Sequence, residues 1–280
     1  MEILREREQI YRRVERLRNE GSRIGFVPTM GALHEGHLAL LRKAREENDI
    51  VVCSIFVNPT QFDDPHDFEN YPEDPKTDKS LLEAEGCDIL FLPSAREMYP
   101  EGVKPSPPYD PGYLARVMEG AFRKGHFEGV ITIVHKLLCA VNPDRAYFGQ
   151  KDYQQLLIIQ KMNEELKLGV EVKRVDTQRD ERGLALSSRN NRLSEEEQIK
   201  AGKIYEMLQY ARQQKSELSP GELEKQIFHY LEEKGFEVEY FSIREANTLR
   251  PIDNWNGHNA VACVAVQLNG VRLIDNIVLD

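Results

Sequence analysis

Over residues 1–176 short apolar runs alternate with longer segments in which apolar residues recur every three or four positions. That alternation restricts the chain to parallel strands joined by crossover helices. The runs RIGFVP (23–28), IVVCSIFV (50–57), CDILFLP (87–93), RAYFG (145–149) and VEVKRVD (170–176) are rich in β-branched and aromatic residues, as strands covered on both faces require. Residues 36–47, 74–85, 130–141 and 152–166 each place an apolar stripe on one helical face. The opening MEILREREQIYRRVERLRNEG reads as a charged amphipathic helix and lacks the apolar stretch of a secretion signal. Right-handed crossovers then give an α/β fold, a Rossmann-like doubly wound parallel sheet, with ligands expected beyond the carboxyl ends of its strands.

After RDERGLALSSRNNRL the texture changes. Ser194-Glu195-Glu196-Glu197 is a capping-box signature that opens a helix through about residue 213, and Pro220-Gly221 precedes another through about residue 234. Alternating segments follow at 238–246, 259–268 and 271–279, with Asn269-Gly270 a tight-turn pair between the last two. The expected organisation is a Rossmann-like domain over 1–176 and a smaller C-terminal α+β lid domain over 177–280.

Composition narrows the function classes. No stretch approaches the roughly 20 uninterrupted apolar residues of a membrane span, so a cytoplasmic protein with no membrane partner is expected. With 37 basic and 47 acidic residues the net charge is −10, and no segregated basic patch is visible, which argues against nucleic acid as a partner. Cys53, Cys87, Cys139 and Cys263 lie far apart in or beside apolar segments, without C-x-x-C spacing, and are expected to be reduced, buried and inert.

Four stretches at strand ends carry polar residues suited to chemistry. VPTMGALHEGHLAL (27–40) passes from strand through a glycine turn into a helix, an arrangement that aims backbone N–H groups and the positive end of a helix dipole at an anion. His34 and His37 stand three apart there, whereas zinc helices place histidines four apart as H-E-x-x-H, so phosphate is the better ligand. In FVNPTQF (56–62) Asn58 and Gln61 offer neutral groups able to hold a hydroxyl or carboxylate. FGQKDYQQ (148–155) offers Gly149 for a tight turn, Lys151 for phosphate, Asp152 as a cap or ribose ligand, and Gln155 one turn on. GLALSSRN (183–190) presents Ser187, Ser188 and Arg189 as a donor-rich loop for triphosphate. Read singly, each is also ordinary loop composition. There is no G-x-x-x-x-G-K-[ST] loop, no G-x-G-x-x-G in the first turn and no G-x-S-x-G elbow.

In this order, PTMGALHEGH, SIFVNPTQF, GQKDYQQ and GLALSSRN closely resemble the pantothenate synthetase (pantoate–β-alanine ligase) family, and EGAFRKGHFEGVITIV (119–134) and RLIDN (272–276) extend the likeness over nearly the whole chain. The resemblance implies the nucleotidyltransferase superfamily shared with class I aminoacyl-tRNA synthetases, with HEGH and Leu186-Ser187-Ser188-Arg189 clasping ATP. The implied ATP site comprises Met30, Gly31, Ala32, Leu33, His34, Glu35, Gly36 and His37, then Gly149, Gln150, Lys151 and Asp152, then Gln178 through its backbone carbonyl, and Leu186, Ser187, Ser188 and Arg189. Gln61 and Gln155 match residues that hold pantoate, with Asn58 beside them, and Gln61 also lies next to β-alanine.

The implied chemistry is adenylation of pantoate by MgATP followed by attack of the β-alanine amine, with His34, His37, Lys151, Ser187, Ser188, Arg189 and magnesium stabilising phosphate charge. His37 matches a proton donor, and charge stabilisation is an equal reading of it, because a histidine cation at neutral pH needs phosphate nearby. The resemblance also implies a homodimer, for which an exposed β edge or an apolar strand such as 50–57 is a candidate interface. The rivals are another small nucleotidyltransferase acting on a phosphorylated metabolite, and a non-catalytic nucleotide sensor.

Overall fold

The apolar runs of the first half pair side by side. In the computed structural model, which describes residues 1–62, 68–102, 104 and 107–279, six parallel strands lie in the order β1-β4-β3-β2-β5-β6. They are β1 (Glu2–Leu4), β2 (Ile24–Thr29), β3 (Ile50–Ile55), β4 (Ile89–Phe91), β5 (Arg145–Gly149) and β6 (Glu171–Val175). The order reverses between β2 and β5, so the carboxyl ends of these two strands flank the switch point where such sheets bind ligands.

Among the described residues of this half are helices α1 (Arg7–Asn19), α2 (Glu35–Glu47), α3 (Pro75–Ala84), α4 (Ala95–Met98), α5 (Glu119–Phe122), α6 (His126–Val141) and α7 (Tyr153–Glu165). Leu38, Leu41 and Ala44 of α2 and Leu82 of α3 cover Val27, Val51, Cys53 and Leu90 on one face of the sheet. Alternate strand residues point the other way, and α6 packs on β2 with α1 against it.

The second half forms α8 (Glu195–Ala201), α9 (Lys203–Gln213) and α10 (Pro220–Glu233) on an antiparallel sheet of β7 (Glu237–Glu245), β8 (Ala260–Leu268) and β9 (Val271–Leu279), in the order β7-β8-β9. Ser194 with Glu197 and Ser219 with Glu222 form complete capping boxes. Leu208, Leu223, Ile227 and Leu231 bury against Ile243, Ala262, Val264 and Ile277. Asn269 and Gly270 both have positive φ, the backbone a two-residue hairpin turn demands. Two compact units result: Met1–Gly149 with Gln155–Asp176, and Gln150–Gln154 with Thr177–Asp280.

Several local expectations change. Residues 2–4 are not helix but an edge strand that pairs with β4, a segment too short for periodicity to register. The apolar run 50–57 is no edge, because β3 is paired on both sides and buried, which removes it as an interface strand. The helix expected from Ser194 through 213 is interrupted at Gly202, where a Cβ would stand 2.6 Å from the Arg182 carbonyl oxygen. Helix α6 starts at His126, four residues earlier than expected, after Gly125 in a left-handed conformation. Cys139 is exposed, unlike the other three cysteines, with its Sγ 3.6 Å from His135 Nε2 one turn away.

Candidate active site

The turn leaving β2 is built around two buried anchors. Thr29 Oγ1 donates to the Ser54 carbonyl at 2.8 Å and accepts the Gly31 N–H at 3.2 Å, tying the strand end to β3. Gly31 and Ala32 then take positive φ. Asp78 of α3, 3% exposed, accepts the Ala32 and Leu33 N–H groups at 2.9 and 2.7 Å. Burial pushes this carboxyl above its ordinary value while the two N–H bonds oppose the shift. A Cβ on Gly31 would sit 3.0 Å from Asp78 Oδ2, so the glycine is required by both backbone and space. Asp78 is the residue sequence reading missed: it stood in an acidic stretch, and the available signal was a carboxylate one helical turn from Leu82 on the apolar face.

That strained turn delivers the two histidines to the start of α2. His34 is the N-cap and its Nδ1 accepts the Gly36 N–H at 3.1 Å, while His37 Nδ1 accepts the His34 N–H at 3.4 Å. The pair thus forms a capping box made of imidazoles, ring centroids 4.1 Å apart. With Nδ1 accepting, a neutral ring carries its proton on Nε2, which makes Nε2–H the donor at a helix N-terminus. Glu35, exposed on the first turn, is ion-paired with Arg42.

The second stretch lies beside the first. After β3 the chain enters a single 3-10 turn, Pro59–Gln61, and Gln61 Nε2 approaches Met30 Sδ at 2.9 Å. Asn58 is fully buried: its Nδ2 donates to Gln61 Oε1 at 3.1 Å and to the Gly129 carbonyl at 3.2 Å, and its Oδ1 accepts from Tyr99 Oη at 2.6 Å. Asn58 therefore acts on this site through Gln61.

His126 holds the same turn from below, its Nδ1 2.7 Å from the Gln61 carbonyl oxygen and its Nε2 3.1 Å from Arg123 Nη1. A guanidinium only donates, so Nε2 accepts and Nδ1–H donates to Gln61. Gly129 lets α6 approach: a Cβ there would be 2.2 Å from the Thr60 carbonyl oxygen and 2.7 Å from the Gln61 nitrogen. Arg123, His126 and Gly129 explain the EGAFRKGHFEG stretch, whose role no spacing rule revealed. Gln155 is half-buried on the first turn of α7.

The second unit carries the remaining candidates. Gln150–Asp152 forms a 3-10 turn with Lys151 Nζ 3.7 Å from Asp152 Oδ1. Gly149, the last residue of β5 in the first unit, has no left-handed φ and a Cβ there would meet open space, so the 3-10 turn that follows it does not require glycine. The Gln178 carbonyl accepts the Leu186 N–H at 2.9 Å, and Arg179 bridges to Ala185, closing a short antiparallel arm. From its end, Ser187 caps a 3-10 turn over Ser188–Arg192 by accepting the Arg189 N–H at 3.3 Å, and Asn190 Nδ2 donates to the Ala185 carbonyl at 3.0 Å. Hydroxyls and a guanidinium are thereby gathered on one braced loop.

Among the described residues no three His, Cys, Asp or Glu side chains are grouped to hold a metal ion.

A doubly wound parallel sheet with an H-x-G-H turn at the strand beside its switch point defines an α/β protein of the class that binds ligands beyond the carboxyl ends of its strands. The family model described as pantoate-beta-alanine ligase matches residues 2–278. The pantothenate synthetase of Caldicellulosiruptor saccharolyticus is 45% identical over 95% of this chain and 95% of its own length, and that of Coprothermobacter proteolyticus is 43% identical over 100% and 99%. The crystal structure of pantothenate synthetase from Thermus thermophilus has a TM-score of 0.91 at 42% identity, covering 100% of this chain and 99% of that one. A pantoate-beta-alanine ligase from Francisella tularensis, complexed with beta-gamma ATP and beta-alanine, has a TM-score of 0.82 at 35% identity over 100% and 98%. The chain belongs to the pantoate–β-alanine ligase family.

Proposed function

We propose that this protein condenses (R)-pantoate with β-alanine at the expense of ATP, giving pantothenate, AMP and pyrophosphate through an enzyme-bound pantoyl adenylate. The observation that carries the reading is the contact between Gln61 and Met30. It sets a neutral amide, suited to a hydroxy acid, against the turn that presents His34 and His37. A thioether is a weak acceptor, so the amide hydrogen on Met30 sulfur is readily surrendered to an incoming carboxylate or hydroxyl. The membership of the family over residues 2–278 supports the same reaction.

In the first step a pantoate carboxylate oxygen bonds to the α-phosphorus, the bond to the bridging oxygen breaks, and pyrophosphate leaves. Hydroxide is a poor leaving group for acyl transfer and AMP a good one. Two anions must meet, and donors are assigned to them from each unit: in the first, the α2 N-terminus and the Nε2–H groups of His34 and His37; in the second, Lys151 and the loop bearing Ser187, Ser188 and Arg189. Met30 to His37, Gly149 to Asp152, Gln178 and Leu186 to Arg189 are assigned to ATP, Gln61 and Gln155 to pantoate, and Gln61 to β-alanine. Asn58 and His126 hold Gln61 in place. Magnesium, bound with the nucleotide, supplies neutralising charge on the phosphates. In the second step the free amine of β-alanine bonds to the acyl carbon, AMP departs and the amine proton is released. The second unit as a lid, a homodimeric state and a cytoplasmic location belong to the same reading.

His37 is assigned, on the family resemblance, either proton donation or stabilisation of the charge that develops on the phosphates. Incubation with MgATP and pantoate, with and without β-alanine, tests the function: pantoate-dependent pyrophosphate in both cases, and AMP with pantothenate only when β-alanine is present. Pyrophosphate that does not depend on pantoate removes the reading.

A further inference from the structure

In the middle of β9, Asp275 and Asn276 are 5% and 2% exposed, a buried polar pair in a strand whose neighbours are apolar. Adjacent strand residues point to opposite faces, and these two engage different segments of the second unit. Asn276 Nδ2 donates to the carbonyl oxygens of Gln150 and Lys151, each at 2.9 Å, and its Oδ1 accepts from Gln150 Nε2 at 3.3 Å. Asp275 accepts from Arg179 through both carboxylate oxygens, at 2.5 and 2.8 Å. Arg179 also donates to the Gly183 carbonyl at 3.1 Å and lies 3.8 Å over the Tyr205 ring. Burying such groups is unfavourable unless each finds partners, and apolar residues would fill the middle of a strand at no such penalty. Here the Asn276 amide is committed to the backbone of the Lys151 turn, and Asp275 to the arm that leads into Ser187–Ser188–Arg189.

We propose that Asn276 is a positioning residue for Lys151, and that Asp275 and Asn276 together tie the Lys151 turn and the 178–189 arm to one strand. A single rigid strand then fixes the spacing between the lysine and the serine–arginine loop, the two cationic elements that the second unit brings to triphosphate. The inference rests on the proposed adenylation and assigns a task to residues outside its reacting groups. Positioning errors of about 1 Å reduce rates on the order of 100-fold, so the effect is measurable.

A double-mutant cycle tests it. Wild-type pantoate-dependent pyrophosphate release is recorded first, since its absence speaks against the adenylation reading itself. Asn276→Ala is expected to lower kcat/KM for ATP on the order of 10- to 100-fold while KM for pantoate changes less than about twofold. In a Lys151→Ala background the same change is expected to be nearly silent, in kcat/KM and in ATP affinity by calorimetry. Asn276→Ser, which keeps one donor, carries the cycle if the alanine variant does not fold, with a smaller loss of the same pattern. Ile277→Val loosens the same strand and is expected to lower the thermal midpoint without the ATP-specific loss. Equal losses with and without Lys151, or the same loss from Ile277→Val, overturn the proposal.

Discussion

His34 and His37 cap the same helix reciprocally, one ring nitrogen accepting the Gly36 N–H at 3.1 Å and the other the His34 N–H at 3.4 Å. The rings therefore do local structural work before any ligand arrives, and this separates their folding role from their chemical one.

Glutamine is the usual partner at the third position of a capping box, so His37→Gln preserves the cap and a neutral donor but cannot become a cation. Its stability is expected to stay within about 0.5 kcal/mol of wild type, measured by urea unfolding. Pantoate-dependent pyrophosphate release is expected to fall on the order of 100-fold, the scale of one lost charge-stabilising donor. Near-wild-type adenylation would show that a charged His37 is not used.

Asp78 clamps the turn through two N–H groups. Asp78→Asn turns an amide NH2 toward one of them, leaving a buried donor unsatisfied at a cost of about 1–3 kcal/mol. Burial raises the folded carboxyl above its ordinary value. A raised folded value means that the stability contributed by Asp78 is fully present below the unfolded value of about 4 and is lost as pH rises through the folded one. Unfolding measured across this range is expected to show that decline in wild type and its absence in Asp78→Asn; an identical profile in both contradicts the assignment.

Gly129→Ala drives a methyl into the Thr60 carbonyl, where the Cβ would lie 2.2 Å away. Overpacking of this kind costs about 1–3 kcal/mol. Because the displaced backbone carries Gln61, KM for pantoate is expected to rise while KM for ATP changes little. A rise in both alike would mean that the turn does not act on pantoate separately.

The parallel sheet was legible because four of its six strands are apolar runs bounded by turn residues, whereas edge strand β6 keeps only two valines among charged residues, and the hairpin was legible because Asn269-Gly270 tolerates positive φ. Edge strand β1 was not, since three residues carry no period. The break at Gly202 was hidden because glycine is tolerated within a helical pattern, and only the tertiary approach of the Arg182 carbonyl explains it. Motifs named His34, His37, Gln61 and Lys151, but the residues that hold them, Asp78, His126 and Asn276, lie 44, 65 and 125 positions away in sequence. Such partners are joined by topology, which local spacing does not record.

The central claim is that the pantoate carboxylate is activated by bonding to the α-phosphorus. Pantoate labelled with 18O in its carboxylate, turned over with MgATP and β-alanine and read by mass spectrometry, tests it most directly. The account predicts one labelled oxygen in AMP and none in pyrophosphate. Label in pyrophosphate or inorganic phosphate, or unlabelled AMP, would contradict it.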